Sequence, residues 1–231
     1  LYCGVPYGIQ DSSYIIRNMY LNDENTLCIP FDAMGAVEHL LFSKYLMYKY
    51  VYWHKRTRSA TSMIKKSVLM ALSDRIFTME ELINLSDESF ASLMLSHLDH
   101  PSGQLFNKVH NGELLVVGAS IRYDDKNREH TKVAPTIQRE EIEKKIWKRL
   151  VTHYPSLPPH LVILDIPEDV SFESDVHISL KEGTSVLFHE ANELFSPSVV
   201  ASFTSSLRKF RLFVPEYVKP SLCKEFLLGV L

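Results

Sequence analysis

The chain is poor in the residues that punctuate helices. It has only eight glycines in 231 residues, and neither glycine nor proline falls between Gly35 and Pro101. Nothing in that stretch forces a helix to stop. Cysteine is scarce as well. Cys3, Cys28 and Cys223 are odd in number, widely spaced and outside any metal-ligand spacing, so they read as reduced thiols of a cytoplasmic protein rather than a disulfide framework. No apolar run approaches the roughly 18 residues a transmembrane helix needs, so no membrane partner is expected. A net charge of -3 is too small and of the wrong sign for a broad nucleic-acid footprint, and nucleic acid is not an expected partner. A Gly-rich phosphate loop, a Gly-x-Ser-x-Gly elbow and a Cys-His signature are all missing. What remains is ordinary globular usage, 45% hydrophobic and 23% charged.

The stretch from Lys44 to Arg58 stands out against this background. If it is one helix, Lys44, Tyr48, Val51, Tyr52, Lys55 and Arg58 share a face about 120° wide. Three cations and two phenol rings on one face suit a phosphorylated ligand with a planar ring, because the cations meet phosphate oxygens and the rings offer stacking area. The same pattern also fits a helix with core aromatics and basic side chains whose stems lie along apolar surface.

The segment Gly4-Val-Pro-Tyr-Gly-Ile-Gln-Asp11, the following Arg17, and the helix with Tyr48, Val51-Tyr52 and His54-Lys55 resemble one family. It is the HD-domain phosphohydrolases related to deoxynucleoside triphosphate triphosphohydrolases. The resemblance implies a parent enzyme that hydrolyses nucleotides with a divalent metal, whether Mn, Mg, Co, Fe or Zn. It implies substrate-binding roles for Lys44 (a phosphate-contacting cation), Tyr48 (near the phosphates) and Tyr52 (beside base or sugar). His54, Lys55, Arg58 and Arg17 are the implied effector or phosphate-binding residues. Relatives commonly form dimers or larger homo-oligomers. The family's His, His-Asp and Asp metal ligands precede the segment matched here, and no His-Asp doublet occurs in the sequence. The chain therefore reads as a C-terminal portion that ligates no metal and is inactive alone. Two alternatives stay open: a nucleotide-sensing or oligomerisation module without catalysis, and an HD hydrolase of another phosphorylated substrate.

The expected fold is α+β, with a helical region over 1–100 continuing an HD-type domain and a ferredoxin-like α+β lobe over 101–231. Expected elements are a helix near 14–21, a strand at 26–29 and a long helix from Gly35 to Ser73 kinked near Ser59–Ser62. Capped helices are expected after Thr78 (with Glu81) and after Ser86. Further along come a helix ending at Gly112, a strand over 114–123 and a helix from Thr136 to Thr152. A strand at 161–166, a hairpin over 176–188, a helix at 197–204, a strand at 207–214 and a helix from Pro220 complete the order. His97-Leu-Asp99-His100 has donors for a metal but reads as a polar helix end, and Glu140, Glu141 and Glu143 read as solvated acids favoured by the helix dipole.

Overall fold

The computed structural model describes residues 12–124, 126–133, 136–168, 170, 176–180 and 184–230, the side chains of 136 and 137 excepted. The segment 4–11, Asp11 as a helix cap and the hairpin turn at 181–183 lie outside these residues. In chain order the elements begin with α1 (Ser12–Asn18), β1 (Tyr20–Leu21), β2 (Leu27–Pro30), α2 (Met34–Met47) and a π-helical turn (Tyr48–Tyr52). Next are α3 (Lys55–Ser73), α4 (Met79–Leu82), α5 (Asp87–Leu95), α6 (Pro101–His110), β3 (Val116–Arg122) and α7 (Arg128–Lys132). Then follow α8 (Thr136–Leu150), β4 (Ile163–Asp165), β5 (His177–Ser179), β6 (Ser185–Leu187) and α9 (Phe188–Ala191). The last are α10 (Pro197–Leu207), β7 (Lys209–Val214) and α11 (Pro220–Leu228). No helix among the described residues is long and apolar enough to cross a membrane.

The α+β class is as expected. The division of the chain differs from the expected boundary at residue 100: one unit takes Leu1–His54 and Glu168–Arg208, the other Lys55–Pro167 and Lys209–Leu231. Unit one carries a four-stranded sheet in the order β1-β2-β5-β6, with β2 and β5 parallel and the outer pairs antiparallel. Ile29 pairs with Ile178 in that register, and both are buried with Val37 and Leu41 of α2, Phe188, Phe195 and Val200. Burying these apolar residues drives the pairing, each large one contributing about 1.5–3 kcal/mol.

Unit two has an antiparallel three-stranded sheet, β3-β7-β4. Its core gathers Met63 of α3, Ile146 and Leu150 of α8, Phe210, Leu212 and Phe213 of β7, and Leu227 of α11. A bulge between Val117 and Ala119 leaves Gly118 against α11, where a Cβ would lie 2.7 Å from Cys223 Sγ. Strands β4 to β7 are thus shared between two sheets rather than forming one ferredoxin-like sheet. The hairpin β5–β6 finds its partner in β2, because the apolar Ile178 needs Ile29 as a neighbour.

The long helix is also interrupted earlier than expected. The break is at Trp53–His54, and Ser59 and Ser62 lie buried inside an unbroken α3. Small side chains there admit close packing, and Ser59 Oγ donates to Leu115 O at 2.7 Å. The run Tyr48-Lys-Tyr-Val-Tyr-Trp53 is aromatic and β-branched, types that lose side-chain freedom in a helix, so the chain leaves α geometry there.

Candidate functional site

The last turn of α2 and the π-helical turn position the substrate candidates of unit one. The Trp53 N–H donates to Tyr48 O at 2.8 Å, an i to i+5 bond, and Trp53 then adopts φ -103° and ψ 11°. Turns of this kind are frequent at functional sites because the extra residue re-aims side chains. Trp53 is buried and anchors the turn. Tyr48 is half-buried on the unit-one core, its ring centroid 5.2 Å from Tyr52 and 5.5 Å from Trp53. Tyr52 is 51% exposed and presents its ring outward. Lys44, half-buried, lies four residues before Tyr48, and its carbonyl accepts the Tyr48 N–H. The group therefore offers a cation, a fixed ring and an exposed ring on adjoining turns.

Lys49 was not singled out by the sequence pattern. Its ammonium lies 5.1 Å from the Tyr50 ring centroid and 5.6 Å from that of Tyr45. The Tyr50 side chain, then Tyr45, raises its pKa above the ordinary ammonium value. The alternation of Lys and Tyr over 44–50 is the signal that could have found it.

The remaining sequence candidates are divided between the two units, Arg17 and His54 in one, Lys55 and Arg58 in the other. Arg17 is exposed on α1 and its Nε donates to Ser13 O at 3.2 Å. His54, exposed, closes the first segment of unit one, whereas Lys55, exposed, opens α3 in unit two. The helix break means that Lys55 and Arg58 do not continue the face of Lys44, Tyr48 and Tyr52 on one helix. Arg58 is engaged within unit two: its Nε donates to Asp165 Oδ2 at 2.9 Å and its Nη2 donates to Asp165 Oδ1. Arg211, opposite Asp165 in the β4–β7 register, brings Nη1 to 4.0 Å from Asp165 Oδ2. Burial lowers the Arg211 pKa, which Asp165 opposes and Arg58 reinforces.

Glu143 corrects the reading of its acidic run as solvated. It is 7% exposed, and its carboxylate accepts Lys66 Nζ and, at 2.7 Å, the Leu164 N–H. Lys66 also donates to Val162 O at 3.1 Å. Burial pushes the Glu143 pKa up, against the opposing pull of Lys66 and of the Leu164 amide. The signal was in the helical period, since Glu143 lies three and seven residues before the buried Ile146 and Leu150.

His100 is a helix cap: its Nδ1 accepts the Ser102 N–H at 3.2 Å at the start of α6, and its Nε2 lies 3.1 Å from Asp74 Oδ2. Among the described residues, no group of three or more His, Cys, Asp or Glu is placed to hold a metal ion.

Comparison with known proteins adds to this geometry. A phosphohydrolase from Bacteroides thetaiotaomicron VPI-5482 superposes with a TM-score of 0.62 at 16% identity, over 92% of this chain and 57% of that one. A hypothetical protein from Aquifex aeolicus gives 0.61 at 17% identity, over 98% and 53%. At such identities the likeness is one of fold. An uncharacterized protein of Methanocaldococcus jannaschii is 28% identical over 94 residues, 39% of this chain and 21% of its own length. The chain thus spans little more than half of the solved structures and about a fifth of that curated relative. The profile of a family described as HD associated region matches residues 10–210. With most of its length matched, the chain belongs to the HD associated region family.

Proposed function

We propose that this chain is the C-terminal part of a metal-dependent HD-type phosphohydrolase acting on deoxynucleoside triphosphates. Membership of the HD associated region family over residues 10–210 carries this reading. The fold shared with a protein named phosphohydrolase supports it. In this reading Lys44 meets phosphate oxygens as a point charge, without the two-pronged contact an arginine would make. Tyr48, packed against Trp53 and the unit-one core, stands near the phosphates in this reading. Tyr52, exposed beside it, supplies stacking area for the base or sugar.

A divalent metal would polarise the phosphoryl group for attack by water. In this reading the metal's donors come from a part of the parent protein other than the segment described here. This chain's part is to bind and orient the nucleotide and to provide assembly surface. Hydrolysis of a panel of phosphorylated compounds by the full-length protein tests the assignment. Preference for deoxynucleoside triphosphates supports it; preference for monophosphates or phosphodiesters with the same metals overturns the substrate class.

A further inference from the structure

Three charges of unit two, Asp165 and Arg211 buried and Arg58 partly so, occupy a particular place in the chain. The backbone passes between the units at His54/Lys55, at Pro167/Glu168 and at Arg208/Lys209. Arg58 lies three residues beyond the first passage, Asp165 two before the second passage's Pro167, and Arg211 two beyond the Lys209 of the third. These same three residues meet. Asp165 and Arg211 are direct cross-strand partners, and Arg58 reaches from the first turn of α3 to take both carboxylate oxygens. Their side chains are 12%, 3% and 10% exposed for Arg58, Asp165 and Arg211.

We infer that Arg58, Asp165 and Arg211 form one anchor that roots all three connections to unit one in the body of unit two. A single carboxylate between two guanidinium groups makes the anchor cooperative. Removing it sets two guanidinium groups against each other without the carboxylate between them, which weakens the hold on both. The three connections, distant in sequence, then loosen together. A cluster that merely added stability to unit two would show no such selectivity. The Lys66–Glu143 pair is the contrast: through Glu143 and the Leu164 N–H it also ties α3 to β4, yet neither member of the pair adjoins a passage.

Amide hydrogen exchange on the whole protein tests the inference, since exchange reports local opening segment by segment. Asp165→Asn is expected to speed exchange about tenfold or more in peptides covering 52–58, 164–168 and 208–212 together. Gly103→Ala, which destabilises unit two through α5 and α6, is expected to change these three segments no more than the rest of unit two, whereas Asp165→Asn speeds them above it. Should Asp165→Asn not fold, Arg58→Lys, which keeps the charge and loses the two-pronged contact, is expected to give the same three-segment pattern at smaller amplitude. Acceleration confined to 164–168, or the same pattern in Gly103→Ala, would overturn the anchor.

Discussion

The carboxylate of Glu143 holds the backbone N–H of Leu164 at 2.7 Å, tying the middle of α8 to the central residue of β4. The same group accepts Lys66 of α3, so one buried acid joins two helices and a strand. Glu143→Ala removes the acceptor of a buried amide and leaves Lys66 without its carboxylate. The expected loss is about 2–3 kcal/mol, read from urea unfolding. A change below about 0.5 kcal/mol would show that water replaces the carboxylate at no cost.

A pH effect is expected from His160. Burial first, then Lys66, Lys108 and His100, lowers its pKa below the ordinary 6.5. A depressed imidazole means the unfolded chain takes up the proton before the folded one. Stability tied to His160 is complete above the unfolded value and is lost as pH falls through the folded value. His160→Gln is therefore expected to reduce the drop in Tm between neutral and mildly acid pH. An unchanged or steeper drop in the variant contradicts this.

Gly103 faces backbone, not a pliable side chain. A Cβ there would lie 2.1 Å from His97 O and 3.0 Å from Met94 O. Gly103→Ala must push α6 away from the end of α5, at a cost of about 1–3 kcal/mol. Thermal unfolding checks this, and a wild-type Tm would mean the two helices separate freely.

Short-range chemistry was the legible part of this fold. Thr78 and Glu81 form the expected capping box, Ser86 caps α5, and Gly112 takes φ 76° beyond α6. Each of these signals lies within a few residues of the element it bounds. The pairings joining residue 28 to 177 and residue 165 to 211 depend on burial of remote apolar partners, which local patterns do not encode. The basic-aromatic run was recognisable, whereas its helix break was not. The intended face assumed an unbroken period of 3.6 residues, and the π-helical turn ends that period just before Lys55. Arg58 was legible as a cation but not as a partner of Asp165, which is 107 residues away.

Self-association is expected of the full protein. Leu40, Phe42 and Tyr50 are exposed on α2 and the π-helical turn, whereas Leu41 and Trp53 are buried within the chain. Exposed apolar side chains on one element favour cover by another surface. Light scattering is expected to report at least a dimer. A well-behaved monomer at tens of micromolar protein would count against it.

Steady-state hydrolysis by the full-length protein and its Lys44→Ala and Tyr52→Ala variants is the most direct measurement of the proposed role. With Mn²⁺, Mg²⁺ or Co²⁺, deoxynucleoside triphosphates are expected to turn over fastest. Lys44→Ala is expected to lower kcat/KM by roughly 10- to 150-fold, equivalent to about 1.5–3 kcal/mol of lost charged contact. Tyr52→Ala is expected to change the ranking among bases or sugars. Wild-type kinetics in both variants, each correctly folded, would contradict a substrate-binding role for this segment and leave it as structural packing.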